Sequence, residues 1–399
     1  MTEQLAALRR RLRTREDADA LAVLGLTASV FLSVYTAVAA CLAVAALTMM
    51  NYERRRRALS SPYAGLLLGF LLVPFFVAAM YNNFLGILAS FALYAVVICG
   101  LFVRSVMTRR LFGRVLDLCC QCSVGCFLIA LAQKLAMYPA SPEYRPVSTF
   151  TNANYYGAMV ELMLLVCLFR AVTNRPARKW YLAAALANLG GLYLTGSMSA
   201  AAASCIGILT FLALQHRRRL AVLFCLCAGA ALVLVMVFPF LFPRVESVDV
   251  AWDQRFSIWQ TALRAILEHP IFGQGAVSYH MAALKYNGYL TYHSHNLLID
   301  TVLNFGFFGF AVLAFYVSRQ AKLLRLRLRN RIGRTANVLT VSVLAAVIAH
   351  GVTDVTIFWP QTGMFFLLLV SSLSVGAEFL EREVAPRSIA VPAGSRLRP

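Results

Sequence analysis

Two histidines and an asparagine stand together in Tyr292-His293-Ser294-His295-Asn296, and a 21-residue apolar run, Leu297–Val317, starts at the next position. Imidazole is the side chain best suited to take a proton near neutral pH. The apolar run is long enough to cross a bilayer, so it puts both rings at a membrane surface. A long, sparsely charged loop containing Arg255 leads into them. Bases and a guanidinium at that level point to group-transfer chemistry on a membrane-anchored substrate.

The elements that must position these residues are membrane spans. The 399-residue chain is 60% hydrophobic and only 14% charged, against about 25% charged in a soluble domain. Apolar runs of about 20 residues recur along its length, the signature of an all-α, polytopic integral membrane protein. The N-terminus is Arg-rich and the first apolar stretch lacks a cleavage site, so no cleavable signal peptide is expected. The net charge of +20 comes from basic residues bunched in short loops. That is the positive-inside pattern and not a nucleic-acid footprint. All ten cysteines lie inside apolar segments, which argues against a disulfide framework. The cluster Cys119-Cys120-x-Cys122-xxx-Cys126 has no histidine near it and reads as small hydrophobic packing, not a metal site.

The basic clusters fix a topology. Residues 1–19 and Arg54 to Arg57 both carry positive charge, and 31 residues from Ala20 to Met50 lie between them. One helix of that length would span about 46 Å against a core of about 30 Å. The stretch is therefore read as a re-entering hairpin with its turn near Ser33 to Thr36. Further spans are expected over Pro62–Met80, Phe84–Val103, Leu111–Gln133, Asn154–Val172, Trp180–Leu194, Ala200–Leu214, Leu220–Phe242, Leu297–Val317, Asn337–Phe358 and Thr362–Leu380. This predicts about twelve transmembrane helices, nine within 20–242 and three within 297–380. Both termini are cytoplasmic, and the tail 381–399 is disordered. Every basic cluster then falls on one side. The loop 243–296 falls on the other, with its four cations (Arg244, Arg255, Arg264, Lys285) balanced by Glu246, Asp249, Asp253 and Glu268.

Within that loop, helical spacing of apolar residues predicts an amphipathic helix over Asp253–Leu267, N-capped by Asp253 and ended by His269-Pro270. Gly273-Gln274-Gly275 makes a turn. A short second helix runs over Ser278–Tyr286 with Gly288 as its C-cap. Two such helices suit a lid that restricts water over a membrane cavity; a plain connecting loop with interfacial helices fits the same pattern. Glu161, Asp300, His350 and Asp354 are ionisable residues in or near spans, where such groups are costly. Asp354 falls near the outer end of its span, and His350 at i−4 could pair with it on one helix face.

Several pieces together resemble the O-antigen ligase/polymerase family of bacterial membrane proteins. They are Thr151-Asn152-Ala153-Asn154-Tyr155, Thr195-Gly196-Ser197-Met198-Ser199-Ala200, and Arg255-Phe256-Ser257-Ile258-Trp259. His269-Pro270-Ile271-Phe272-Gly273-Gln274-Gly275 follows, and His293-Ser294-His295-Asn296 precedes Gly306-Phe307-Phe308-Gly309. The resemblance implies a multi-pass protein of the bacterial cytoplasmic membrane that uses no cofactor or metal. It implies inverting glycan transfer from a polyprenyl-pyrophosphate donor to a hydroxyl of a second lipid-linked glycan or of lipid A–core. The matching positions make His295, in preference to His293, the general base. Asn296 then orients the imidazole or a sugar hydroxyl, and Asp354 resembles an acidic position of the family. Arg255 suits the pyrophosphate, because its planar fork binds phosphate oxygens and does not deprotonate; it is expected in the first turn of the lid helix, where backbone amides also favour anions. An interfacial Arg also serves as a snorkelling anchor, and His269 and His280 are read as structural.

One position departs from the family. Many members carry Arg where this chain has Met198. Arg145, Lys134 and Arg244 are the cations on the same face that can replace it. The competing functions are a transporter or flippase of lipid-linked glycans and a non-catalytic member of a glycan assembly complex. A transporter should place its charges along a cavity at mid-depth, whereas the ionisable candidates here gather at one face.

Overall fold

The protein is described from a computed structural model over residues 15–241 and 248–375. The basic segment before Arg15, the candidate cation Arg244 and the expected disordered tail lie outside these residues. The fold is all-α, with no strand among the described residues. Its helices are α1 (Arg15–Leu32), α2 (Val34–Met50), α3 (Tyr52–Leu59), α4 (Ala64–Met80), α5 (Phe84–Val106), α6 (Arg109–Met137), α7 (Ala153–Thr173) and α8 (Arg178–Thr195). They continue as α9 (Met198–Leu214), α10 (Arg218–Val237), α11 (Val248–Glu268), α12 (Tyr279–Lys285), α13 (Leu297–Arg329), α14 (Arg334–Gly351) and α15 (Pro360–Val370).

Six of these are long and apolar enough to cross a membrane, or seven if the bent pair α2–α3 counts as one span. Ala64–Met80, Met198–Leu214 and Pro360–Ser374 are shorter apolar helices. The sequence expectation of about twelve crossings counted these shorter runs, and also α1 and α8, as full spans. The first apolar stretch does break inside the expected window. Ser33 accepts a hydrogen bond from the amide of Thr36, and the Thr36 hydroxyl accepts one from the amide of Ser33, a reciprocal cap that starts α2. At Asn51 the chain turns by 102° into α3. There Arg54 and Arg57 both bind the buried Asp19 carboxylate at 2.7 Å.

The bundle is built around α7, which is buried along most of its length and packs on α6, α8, α9 and α14. By contrast, α10 buries no residue. An apolar helix hydrophobic all round and packed on little else is a lipid-facing one.

The expected span Leu297–Val317 is interrupted. α13 has a non-helical residue, Gly306 (φ 64°, ψ −177°). A break inside a span leaves backbone groups that lipid cannot satisfy, and the long loop satisfies them. Phe307 N donates to Pro270 O at 2.7 Å, Phe308 N to Ile271 O at 3.0 Å, and Gly275 N to Asn304 O at 3.0 Å. A Cβ at Gly306 would stand 2.1 Å from Ile271 O, so glycine is required by both its φ and this contact. His269–Gly275 and Gly306–Gly309 are therefore two halves of one joint.

The two loop helices exist with shifted ends. α11 begins at Val248, not Asp253, so Asp253 lies inside the helix and does not cap it. Its buried face is Ile258, Ala262, Ala265 and Ile266, packed on Tyr279, Ala282, Ala283 and Leu303. The bulkier Phe256, Leu263 and Leu267 stay exposed, as befits a helix lying in a bilayer interface. After α12 the left-handed residue is Asn287 and not Gly288. Finally, α14 ends at Gly351, seven residues short of the expected span end at Phe358, which leaves Asp354 in a loop and not in a helix.

Candidate active site at one end of the bundle

The N-termini of α7, α9 and α13 meet the C-termini of α8 and α14 at one end of the bundle. Asn296 N-caps α13 by accepting from Leu298 N and Ile299 N, both at 3.0 Å, and its Nδ2 donates to Val352 O at 3.0 Å. The His segment is held from below. Asp300 accepts from Ser294 N at 2.7 Å and from Asn304 Nδ2 at 2.7 Å, and Asn304 Oδ1 accepts from the Ser278 hydroxyl at 2.8 Å. His295 takes a left-handed backbone (φ 50°), which brings its ring beside that of His293, with centroids 4.3 Å apart.

Both rings turn to one carboxylate oxygen. His293 Nε2 donates to Asp354 Oδ1 at 3.0 Å and His295 Nδ1 to the same atom at 3.2 Å. The other oxygen accepts from Asn154 Nδ2 at 3.2 Å. Burial alone would raise the Asp354 pKa, but the bonds and charges of the two histidines outweigh it and hold the carboxyl well below its usual range. Burial likewise pushes His293 down, yet the Asp354 bond and charge prevail, so its pKa is raised. Tyr155 lies between Trp359, stacked at 4.8 Å and 9°, and His293, whose ring is 6.4 Å away.

Arg255 sits about two turns into α11, so the amides that open that helix do not serve it as its sequence position suggested. Its Nε donates to Thr353 O at 3.1 Å, and its guanidinium lies 5.7 Å over Trp252. Thr353 in turn donates to the Ser199 hydroxyl at 2.7 Å. Arg255 and the histidine cluster thus meet through two consecutive residues, Thr353 and Asp354. Beside them opens a cavity of about 460 Å³. Asn154, Ser197, Ser199, Arg255 and Thr353 supply its polar wall, and Ala202, Ile206, Trp252 and Ala349 its apolar one.

Of the three candidate replacements for the family arginine, Arg244 lies outside the described residues, and the other two separate. Met198 lines the cavity. Arg145 comes up behind it, donating to Thr195 O at 2.5 Å and to Asn154 Oδ1 at 2.7 Å. Lys134 instead closes its own loop on Pro142 O and Tyr144 O, and does not line the cavity. The expected His350–Asp354 side-chain pair does not form, because the helix ends between them. Asp354 N donates to the His350 carbonyl at 3.0 Å, while the His350 ring pairs with Glu161 at 2.5 Å inside the bundle.

Asn154, Thr353, Tyr155 and Trp359 were not among the expected site residues. Asn154 and Tyr155 stand in the Thr-Asn-Ala-Asn-Tyr motif and Thr353 adjoins Asp354, which was the available signal; nothing marked Trp359. His293, His295 and Asp354 also present two ring nitrogens and a carboxylate oxygen within 4.8 Å of one another. A transition metal accepts such a donor set. Hydrogen bonds from both rings to one shared oxygen of Asp354 hold the cluster together.

The fold and site define a polytopic helical membrane protein with a mainly apolar cavity at one end of the bundle, into which Arg255 and a few polar groups project. The O-Antigen ligase family model matches residues 183–314, from within α8 to within α13, a stretch that includes Arg255, His293 and His295. Over these residues the chain is similar to the O-antigen ligase family, and the match supports a role in glycan assembly at a bacterial membrane. No curated protein matches it.

Proposed function

We propose that the protein transfers a glycan, with inversion, from a polyprenyl-pyrophosphate donor to an acceptor hydroxyl on the extracytoplasmic side of the cytoplasmic membrane. The observation that supports this reading is the link from Arg255 through Thr353 to Asp354, a guanidinium joined through two consecutive residues to a carboxylate that two imidazoles share.

The pyrophosphate lies at Arg255 and the N-terminus of α9, where guanidinium and helix amides both favour phosphate oxygens. The polyprenyl chain leaves along Ala202, Ile206 and Ala349. Arg145 supports the anion from behind Asn154 and supplies the positive charge missing at Met198. The acceptor oxygen bonds to the anomeric carbon as the bond to the pyrophosphate oxygen breaks. The lipid pyrophosphate departs with that electron pair, and an imidazole takes the hydroxyl proton. With Nδ1–H on Asp354, His295 has Nε2 as its acceptor and is assigned as the base. The raised pKa of His293 favours its imidazolium form, which stabilises charge better than it takes protons. Asn296 orients the segment through Val352.

The test is transfer by purified protein from a polyprenyl-pyrophosphate glycan to a defined acceptor. Arg255→Ala abolishes it and Arg255→Lys restores little, because a point charge does not replace a bidentate fork. Full activity in Arg255→Ala at equal protein level removes Arg255 from the site. Chelation leaves the wild-type rate unchanged; a loss reversed by added divalent metal assigns the His–Asp–His cluster to a metal instead.

A further inference from the structure

At the opposite end of the bundle a second cavity, of about 200 Å³, opens between α4, α5, α13, α14 and α15. Its walls are mostly apolar, with Thr340 and Ser371 among the lining residues, and on one wall Arg104 Nη1 donates to Gln320 Oε1 at 2.9 Å. Arg327 follows the cavity-lining Leu324 by about one turn of the same helix. It is buried and donates only to neutral oxygens, those of Asn337 and Val375. Among the described residues neither guanidinium has a carboxylate partner. Two like charges beside an apolar crevice, unbalanced by any acid among the described residues, are complementary to an anion that carries a hydrocarbon tail.

From this we infer that the crevice is a binding site for an anionic phospholipid, with its phosphate at Arg104 and one acyl chain between α5 and α13. Basic pockets between membrane helices take acidic lipid headgroups in this way. Arg104 stands in the last turn of α5, and Gln320 is followed by Lys322 and Arg325, so the charged wall lies at headgroup level. The cavity is smaller than a typical pocket for a whole ligand, roughly 300–1,000 Å³. It holds part of one chain, and the rest of the lipid stays in the bilayer past the exposed Val317 and Ala321. Such a lipid would brace the C-terminal half of α13, which the break at Gly306 joins to the half that follows the histidine segment. The inference is independent of the proposed transfer reaction.

The test is delipidation of purified protein followed by titration with phosphatidylglycerol, phosphatidylcholine or inorganic phosphate. Bound lipid is read by native mass spectrometry and stability by thermal melting. One phosphatidylglycerol per chain survives mild delipidation and raises the melting temperature; phosphatidylcholine and inorganic phosphate do neither. Arg104→Gln reduces phosphatidylglycerol affinity about tenfold, the scale of one charge-assisted hydrogen bond. Ala321→Phe lies at an exposed position, keeps Arg104 and blocks the chain, and it lowers affinity as much. Equal binding of phosphatidylcholine, an equal shift with inorganic phosphate, or unchanged affinity in both variants overturns the proposal.

Discussion

Asp354 gives one oxygen to two imidazoles, and the consequence for His293 is directional. Its folded pKa is raised above the value of about 6.5 for a free imidazole. The Asp354 contact therefore contributes stability fully below about pH 6.5 and loses that contribution as pH rises through the raised folded value. Asp354, held low by its partners, remains a carboxylate across this window. Thermal unfolding of wild type and His293→Gln between about pH 5.5 and 9 reads the effect. The gap in melting temperature is widest at the acid end and narrows upward. A gap that widens with pH contradicts the assignment of a raised pKa to His293.

Gly306 shows how an element can be visible in sequence while its role is not. Ala at this position must hold a positive-φ, extended backbone (φ 64°, ψ −177°) that is nearly exclusive to glycine, at a cost of about 1–3 kcal/mol, and must also push Ile271 O away from a 2.1 Å approach. Gly306→Ala should lower the melting temperature and speed proteolytic cleavage within 269–277, because the joint between loop and α13 opens. Unchanged melting and cleavage would mean the joint carries no stability. The apolar runs that became helices were legible because their length and polarity are set by lipid, and the break at Ser33 was legible from the excess length of one run. The break in α13 was not, since its backbone partners lie 29 to 37 residues back in the loop. The histidine pair and Asp354 stood out as polar groups beside apolar spans. Their shared hydrogen bond did not, because it depends on α14 stopping at Gly351, and no proline or cap signals that end. Asn154 is joined to Asp354 across 200 residues, a separation that only packing resolves.

For the whole molecule, the account requires that the cavity, α11 and the histidine segment share the extracytoplasmic face. Ser278 is fully buried and unsuited to a probe, whereas Gln260 is exposed on α11. Cysteine at 260, read against the background of the native thiols, should react with an impermeant reagent on intact spheroplasts. Labelling only after lysis reverses the topology. The central claim is that this end of the bundle performs glycan transfer with His295 as base. It is tested most directly by the single-turnover rate of His295→Ala, in purified protein with saturating polyprenyl-pyrophosphate glycan and a defined acceptor. The account predicts a loss of about 10²–10⁴-fold in rate with donor affinity intact and a milder loss in His293→Ala. A wild-type rate in both variants would leave the reaction without its base and contradict the account.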